Sequence, residues 1–206
     1  MKKTVILAVI GMAAGVASSF GQGYVSLDSY NSGTLGAFVS YGAGVPLNGV
    51  SGAVGSGGLT GAWTAGLYWV AGTQSLSDPA GTGTPIAPLV LGTGNGSSVA
   101  FATSDTGGTL GRFSSVPSFN SGSTANTTLT LEIVAYPTSA GSYANAAYRG
   151  HSAPFSVATV AATSPTPSYT DGFTSFSVAA VPEPTTLALA GLGGFGMLMA
   201  LRRKQA

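Results

Sequence analysis

Cysteine is absent from the 206 residues, which excludes disulfides, thiolate metal ligands and a cysteine nucleophile. Charge is nearly as scarce, with Asp, Glu, Lys and Arg making up 6% of the chain against about 25% in an average soluble domain. No lysine falls between Lys3 and Lys204, so a Walker-type phosphate loop, which needs one, is impossible there. The basic residues sit at the ends: Lys2 and Lys3 at one, Arg202, Arg203 and Lys204 at the other, with Arg112 and Arg149 alone between them. Asp28, Asp78, Asp105, Glu132, Asp171 and Glu183 leave the middle weakly acidic. A nucleic-acid surface needs clustered Lys and Arg to displace counterions from phosphates, and that class is excluded. The single histidine, His151, stands beside Arg149 and Gly150 and reads as a polar loop residue. No G-x-S-x-G elbow supplies a serine for a hydrolase triad. Sustained helical periodicity is also missing, because 32 glycines and 11 prolines interrupt the chain.

What is present at the N-terminus has the order of an export signal. Met1, Lys2 and Lys3 give a positive start, and residues 4–16 form an uncharged, mostly apolar run of about 13 residues. Ala17, Ser18, Ser19, Phe20, Gly21 and Gln22 follow. Small residues are required at −3 and −1 of a cut. Ser19 and Gly21 meet this for cleavage before Gln22, and Ala17 and Ser19 meet it for cleavage before Phe20. The run is too short to span a hydrocarbon core of about 30 Å at about 1.5 Å per residue. Residues 1–21 are therefore expected to be a removable signal peptide with a short apolar helix.

At the other end, Val181, Pro182, Glu183 and Pro184 precede an uncharged run over 185–201, and Arg202, Arg203 and Lys204 close it. As a helix the run would measure about 26 Å, slightly short of the core. The basic cluster should stay on the cytoplasmic side, which agrees with a middle already sent outward. The prolines make a stiff, non-helical joint before the helix. A plain anchor helix and a cleaved lipid-anchor signal are the alternatives, and the basic terminus fits the second poorly. In its tripeptide, apolar run and basic end, segment 181–206 resembles the PEP-CTERM sorting signal of bacterial exported proteins. The resemblance implies recognition by a membrane enzyme, exosortase, and cleavage near Pro182, Glu183 and Pro184. It also implies a setting of exopolysaccharide production. It covers the tail alone.

Residues 22–180 are predicted to be an extracytoplasmic all-β domain, an antiparallel β-sandwich or jelly roll, because short strand-like runs alternate with loops rich in Gly, Ser, Thr, Asn and Pro. Runs at 24–30, 37–41, 66–71, 99–103, 126–136, 153–160 and 173–178 carry the pattern. The run at 66–71 is apolar on both faces and is expected to be central. In 126–136, period two puts Leu129, Leu131, Ile133 and Ala135 in the core and Glu132 near solvent. Residues 143–148 fit one helical turn or part of a strand, and 164–167 read as a loop. A glycine-rich coat segment without a fold is the competing reading.

Chemistry-bearing residues are sparse. Asp78 and Asp105 are the candidates for a single calcium site, and the acids are isolated in sequence. Glycoside hydrolysis needs two carboxylates across a cleft, and nothing in the sequence pairs them. Trp63, Tyr68 and Trp69 are candidates for stacking on sugar rings, against the plainer alternative that they fill the core. The segment 92–96 looks like a nucleotide loop only superficially and is expected to form a hairpin turn. The sequons at Asn95 and Asn126 are expected to be turn and strand residues. No catalytic residue, metal site or cofactor is implied. The expected function is a non-catalytic cell-surface or matrix protein, and the alternatives are a carbohydrate-binding module for exopolysaccharide and, behind it, a hydrolase. Expected partners are an exosortase-type enzyme and the membrane.

Overall fold

The structure is a computed structural model, and it describes residues 22–31, 34–115, 117–161, 168–169 and 172–181. The expected signal peptide 1–21, transmembrane helix 185–201 and loop 164–167 lie outside the described residues, as does Asp171.

Within them the chain is all-β. In order the strands are β1 (Gln22–Ser26), β2 (Tyr30–Asn31), β3 (Thr34–Leu35), β4 (Val39–Tyr41), β5 (Trp63–Ala71), β6 (Val90–Leu91) and β7 (Ser98–Ala100). They continue as β8 (Phe119–Thr124), β9 (Thr128–Pro137), β10 (Tyr148–His151), β11 (Phe155–Ala158), β12 (Val160–Ala161), β13 (Ser168–Tyr169) and β14 (Phe176–Ala180). The large sheet runs β4-β14-β10-β9-β5-β6, with β11 also on β9 and β7 also on β5. The small sheet runs β12-β1-β13, with β8 also on β1. The expectation of purely antiparallel pairing needs correction, since β4–β14 and β1–β13 are parallel. Their members lie far apart in the chain, so no tight hairpin dictates their direction.

Long strands of β-branched, leucine and aromatic residues form the spine. β5 and β9 pair from Trp63↔Pro137 to Ala71↔Leu129. Trp63, Ala65 and Leu67 of β5 and Leu129, Leu131, Ile133 and Ala135 of β9 face one core and have no exposed surface. Val25 of β1, Leu27 and Phe119 of β8 join the same cluster, so both sheets share it. Trp69 meets Phe119 edge-on, with ring centroids 5.7 Å apart. As expected, β5 has neighbours on both edges. The segment 92–96 is a turn, but not the hairpin expected. The strands it joins, β6 and β7, lie end to end along β5 instead of pairing with each other.

Loop packing relies on glycine where backbones touch. Gly111 has φ of 77°, its N–H donates to the Leu59 carbonyl (2.7 Å), and its own carbonyl accepts from Val39 N–H (2.8 Å). A Cβ on Gly111 would overlap the Val39 carbonyl oxygen and Gly58 Cα. The loop can therefore lie against β4 only without a side chain there.

Candidate functional site

Directly opposed residues in an antiparallel ladder share a face. Tyr68 opposes Glu132, Gly66 opposes Val134 and Thr64 opposes Tyr136, while His151 opposes Val134 on the other edge. Period two then puts Tyr68, Glu132, Val134, Tyr136, Arg149 and His151 on the outer face of the large sheet, away from Leu67, Leu131 and Ile133.

This outer face is covered. Segment 72–89, between β5 and β6, folds back across it. Gln74 N–H donates to Thr130 Oγ1 (2.8 Å), and that hydroxyl donates to the Gly72 carbonyl (2.8 Å). Gly81 and His151 exchange backbone hydrogen bonds of 3.1 and 2.7 Å. Arg149 Nε donates to the Thr82 carbonyl (2.8 Å), and the Tyr143 hydroxyl donates to the Gly83 carbonyl (2.7 Å).

Beneath the cover, Glu132 is 0% exposed and His151 2% exposed. Glu132 Oε2 lies 3.5 Å from His151 Nδ1. Neither carboxylate oxygen of Glu132 has a hydrogen-bond partner. His151 Nδ1 also lies 3.0 Å from the Ser152 carbonyl oxygen, a contact that orients the ring. Asp78 approaches from the covering segment, and one donor atom from each of Asp78, Glu132 and His151 lies within 4.8 Å of the others. The Asp78 carboxylate is held in turn by Ile86 N–H (3.0 Å to Oδ2).

Burial, and secondarily the charge of Asp78, push the Glu132 carboxyl up to about 8. Burial also raises the Tyr143 hydroxyl; Arg149, whose guanidinium carbon stands 4.8 Å from that ring, opposes the rise. The cluster is thus built either to hold a proton or to hold a cation.

Two expectations fail here. Glu132 is not near solvent. The alternation along β9 is real, but both faces of the strand are covered, one by the core and the other by segment 72–89. His151 is not in a loop; it ends β10 and is buried. The missed signal was the length of the segment between β5 and β6, since irregular connections beyond about 12–15 residues are uncommon unless they have work to do.

The aromatic candidates do not gather. Trp63 is fully buried in the core, where its Nε1 donates to the Leu47 carbonyl (2.9 Å). Tyr68 and Trp69 are adjacent on β5 and point to opposite faces. Tyr68 meets Tyr143 (6.2 Å between centroids) and Trp69 meets Phe119. Of the two calcium candidates, Asp78 joins the cluster, and Asp105 lies exposed in another loop, accepting from Leu110 N–H at 3.5 Å. Asn126 occupies the turn before β9, with φ of 61°. Pro182, Glu183 and Pro184, and likewise Arg202, Arg203 and Lys204, lie outside the described residues. The domain leads directly to them: β14 ends at Ala180, and Val181 N–H donates to the Ala147 carbonyl (2.8 Å).

The family model of the PEP-CTERM protein-sorting motif matches residues 180–204. The tail is a PEP-CTERM sorting motif, and it marks the chain as an exported, membrane-anchored precursor processed by exosortase. No curated protein and no solved structure matches the chain.

Proposed function

We propose that the β domain is a non-catalytic component of the cell surface or extracellular matrix, with the tail as its delivery signal. The observation that carries this reading is the position of the motif. It begins at residue 180, where the last strand among the described residues ends, so the cut expected near the tripeptide would release the folded domain whole. The burial of Glu132 removes that residue as a hydrolase acid. A carboxylate with no exposed surface cannot touch a glycosidic bond, which a hydrolase acid must do. The test is fractionation of the native host with and without its exosortase. The expected result is a shortened domain at the surface or in the matrix of the first, and an uncut membrane-bound chain in the second. Equal release from both hosts would remove the tail from the account.

Binding of exopolysaccharide is the second reading. One observation favours it: Tyr68 and Tyr136 are both half-buried on the outer face and flank Tyr143, whose ring centroid lies 6.2 and 6.4 Å from theirs. Retardation of the domain in a gel containing the host polysaccharide, lost on Tyr68→Ala, would support it. Unretarded migration of the native domain would leave the matrix reading alone.

A further inference from the structure

The acid–histidine cluster stands apart from sorting, and its chemistry goes beyond delivery. We propose that Asp78, Glu132 and His151 bind one divalent first-row transition-metal ion, of the zinc or manganese type, that fastens segment 72–89 to the large sheet.

Four observations carry this. First, the donor set is two carboxylates and an imidazole, which suits zinc, manganese or ferrous ions. Calcium favours an all-oxygen shell. Second, the three donor atoms already lie within 4.8 Å of one another, so small side-chain adjustments bring them onto one ion. Third, both oxygens of the fully buried Glu132 lack hydrogen-bond partners. Burying such a group is costly unless something compensates it, and a coordinated cation does so without any donor hydrogen. Fourth, the ligands come from elements of different stiffness. Glu132 and His151 belong to neighbouring strands β9 and β10. Asp78 belongs to the covering segment and is held there by Ile86 N–H.

Charge also balances. Two carboxylates and a neutral imidazole sum to −2, which one divalent ion neutralises in a site largely shielded from water. In the tautomer that suits this site, His151 Nδ1 donates its proton to the Ser152 carbonyl, 3.0 Å away, the kind of outer support that orients a metal-ligating imidazole, and Nε2 is left to take the ion. Asp78 keeps some exposed surface while Glu132 and His151 have almost none, so an ion would enter past Asp78.

The test uses the untagged full-length chain in detergent, stripped with a chelator and dialysed. Isothermal titration with Zn²⁺ and with Mn²⁺ measures binding, with Ca²⁺ as the comparison ion, and thermal melts are recorded with and without each. The expected result is one transition-metal ion per chain, a raised melting temperature, and preference over Ca²⁺. Glu132→Gln and Asp78→Asn should each weaken binding by about 10–100-fold or more, the lower range being what loss of a mere supporting group costs. Asp78→Asn keeps an oxygen for Ile86 N–H and lies outside the sheet, so it tests the site even if Glu132→Gln folds poorly. Absence of binding by the native chain overturns the proposal. So does binding that is undiminished in Asp78→Asn, since the ion would then sit elsewhere. Neither outcome depends on tail processing, so this idea and the matrix reading fail separately.

Discussion

A glutamate with no exposed surface and no hydrogen bond can stay in place by keeping its proton. Unfolded, a glutamate ionises at about pH 4.3. Folded and free of metal, Glu132 holds its proton to about pH 8, through burial first and Asp78 second. Below the lower value both states are protonated and the effect stabilises the fold in full. Between the two the folded chain binds more protons than the unfolded one, so stability falls as pH rises, by at most about 1.4 kcal/mol per unit. Above about pH 8 the loss is complete. Urea unfolding of chelator-treated protein should therefore show its midpoint dropping from pH 5 to pH 8, and Glu132→Gln should flatten that profile. A flat native profile would mean that the carboxyl is ionised and otherwise compensated. On the opposite face of the same strand, Leu131 is fully buried, and Leu131→Ala should cost about 2–5 kcal/mol in the same assay. Leu131 was legible from period two alone. Glu132 was not, because periodicity says which face a residue takes and nothing about what covers that face. Asp78, Glu132 and His151 sit far apart in sequence, and only strand pairing and the returning segment bring them together.

Among elements, β5 and β9 were readable because their own side chains favour a pleated, buried surface. The run at 126–136 became β9 at Thr128–Pro137, a shift at the ends only. β8, with the sequence FNSGST, and β10, with YRGH, offer no such pattern. They are strands because β1 and β9 supply ladders for them, a tertiary cause invisible to local reading. The loops obey backbone geometry more than side-chain chemistry. Gly111→Ala should destabilise by about 1–3 kcal/mol, since it combines a left-handed φ with overlap onto β4. Gly107 has a similar φ of 74° but open space around its Cβ position, so Gly107→Ala should cost less. Thermal melts of the two variants, compared with native protein, separate crowding from strain. Equal losses would mean that the contact with β4 yields easily.

The whole molecule is organised by what its two ends are expected to lose. Gln22 is already part of β1, and its Oε1 accepts from Asn120 Nδ2 (2.6 Å) and from the Tyr24 hydroxyl (3.1 Å). Signal cleavage before Gln22 would leave that strand complete, and cleavage before Phe20 would leave two further residues ahead of it. Mass spectrometry of protein from the native envelope should find one of these two starts; an intact Met1 outside the cytoplasm would remove the signal-peptide reading. At the other end, Glu183→Ala should leave membrane insertion intact and block processing near the tripeptide, because a rigid, proline-flanked acid is something an enzyme can read. Removing Arg202, Arg203 and Lys204 should instead disturb topology or retention. Immunoblots of tail-fragment release distinguish the two. Unchanged processing in the Glu183 variant would show that exosortase reads other features of the tail.

The place of β14 has a mechanical consequence. While the precursor is tethered, any drag on the domain reaches it through the chain that leaves β14. That strand is not at an edge: β4 flanks it on one side through Phe176↔Val39 to Val178↔Tyr41, and β10 on the other through Tyr148↔Ala180 and Arg149↔Ala179. Tension along its axis meets the β10 pairs at Ala179 and Ala180 first, with the β4 pairs at Phe176 to Val178 behind them, and loads both in shear, whereas an edge strand could be unzipped from one partner alone. The tether is thus fixed where the fold resists pulling, and single-molecule extension from the C-terminus should show one abrupt rupture, not a gradual peel.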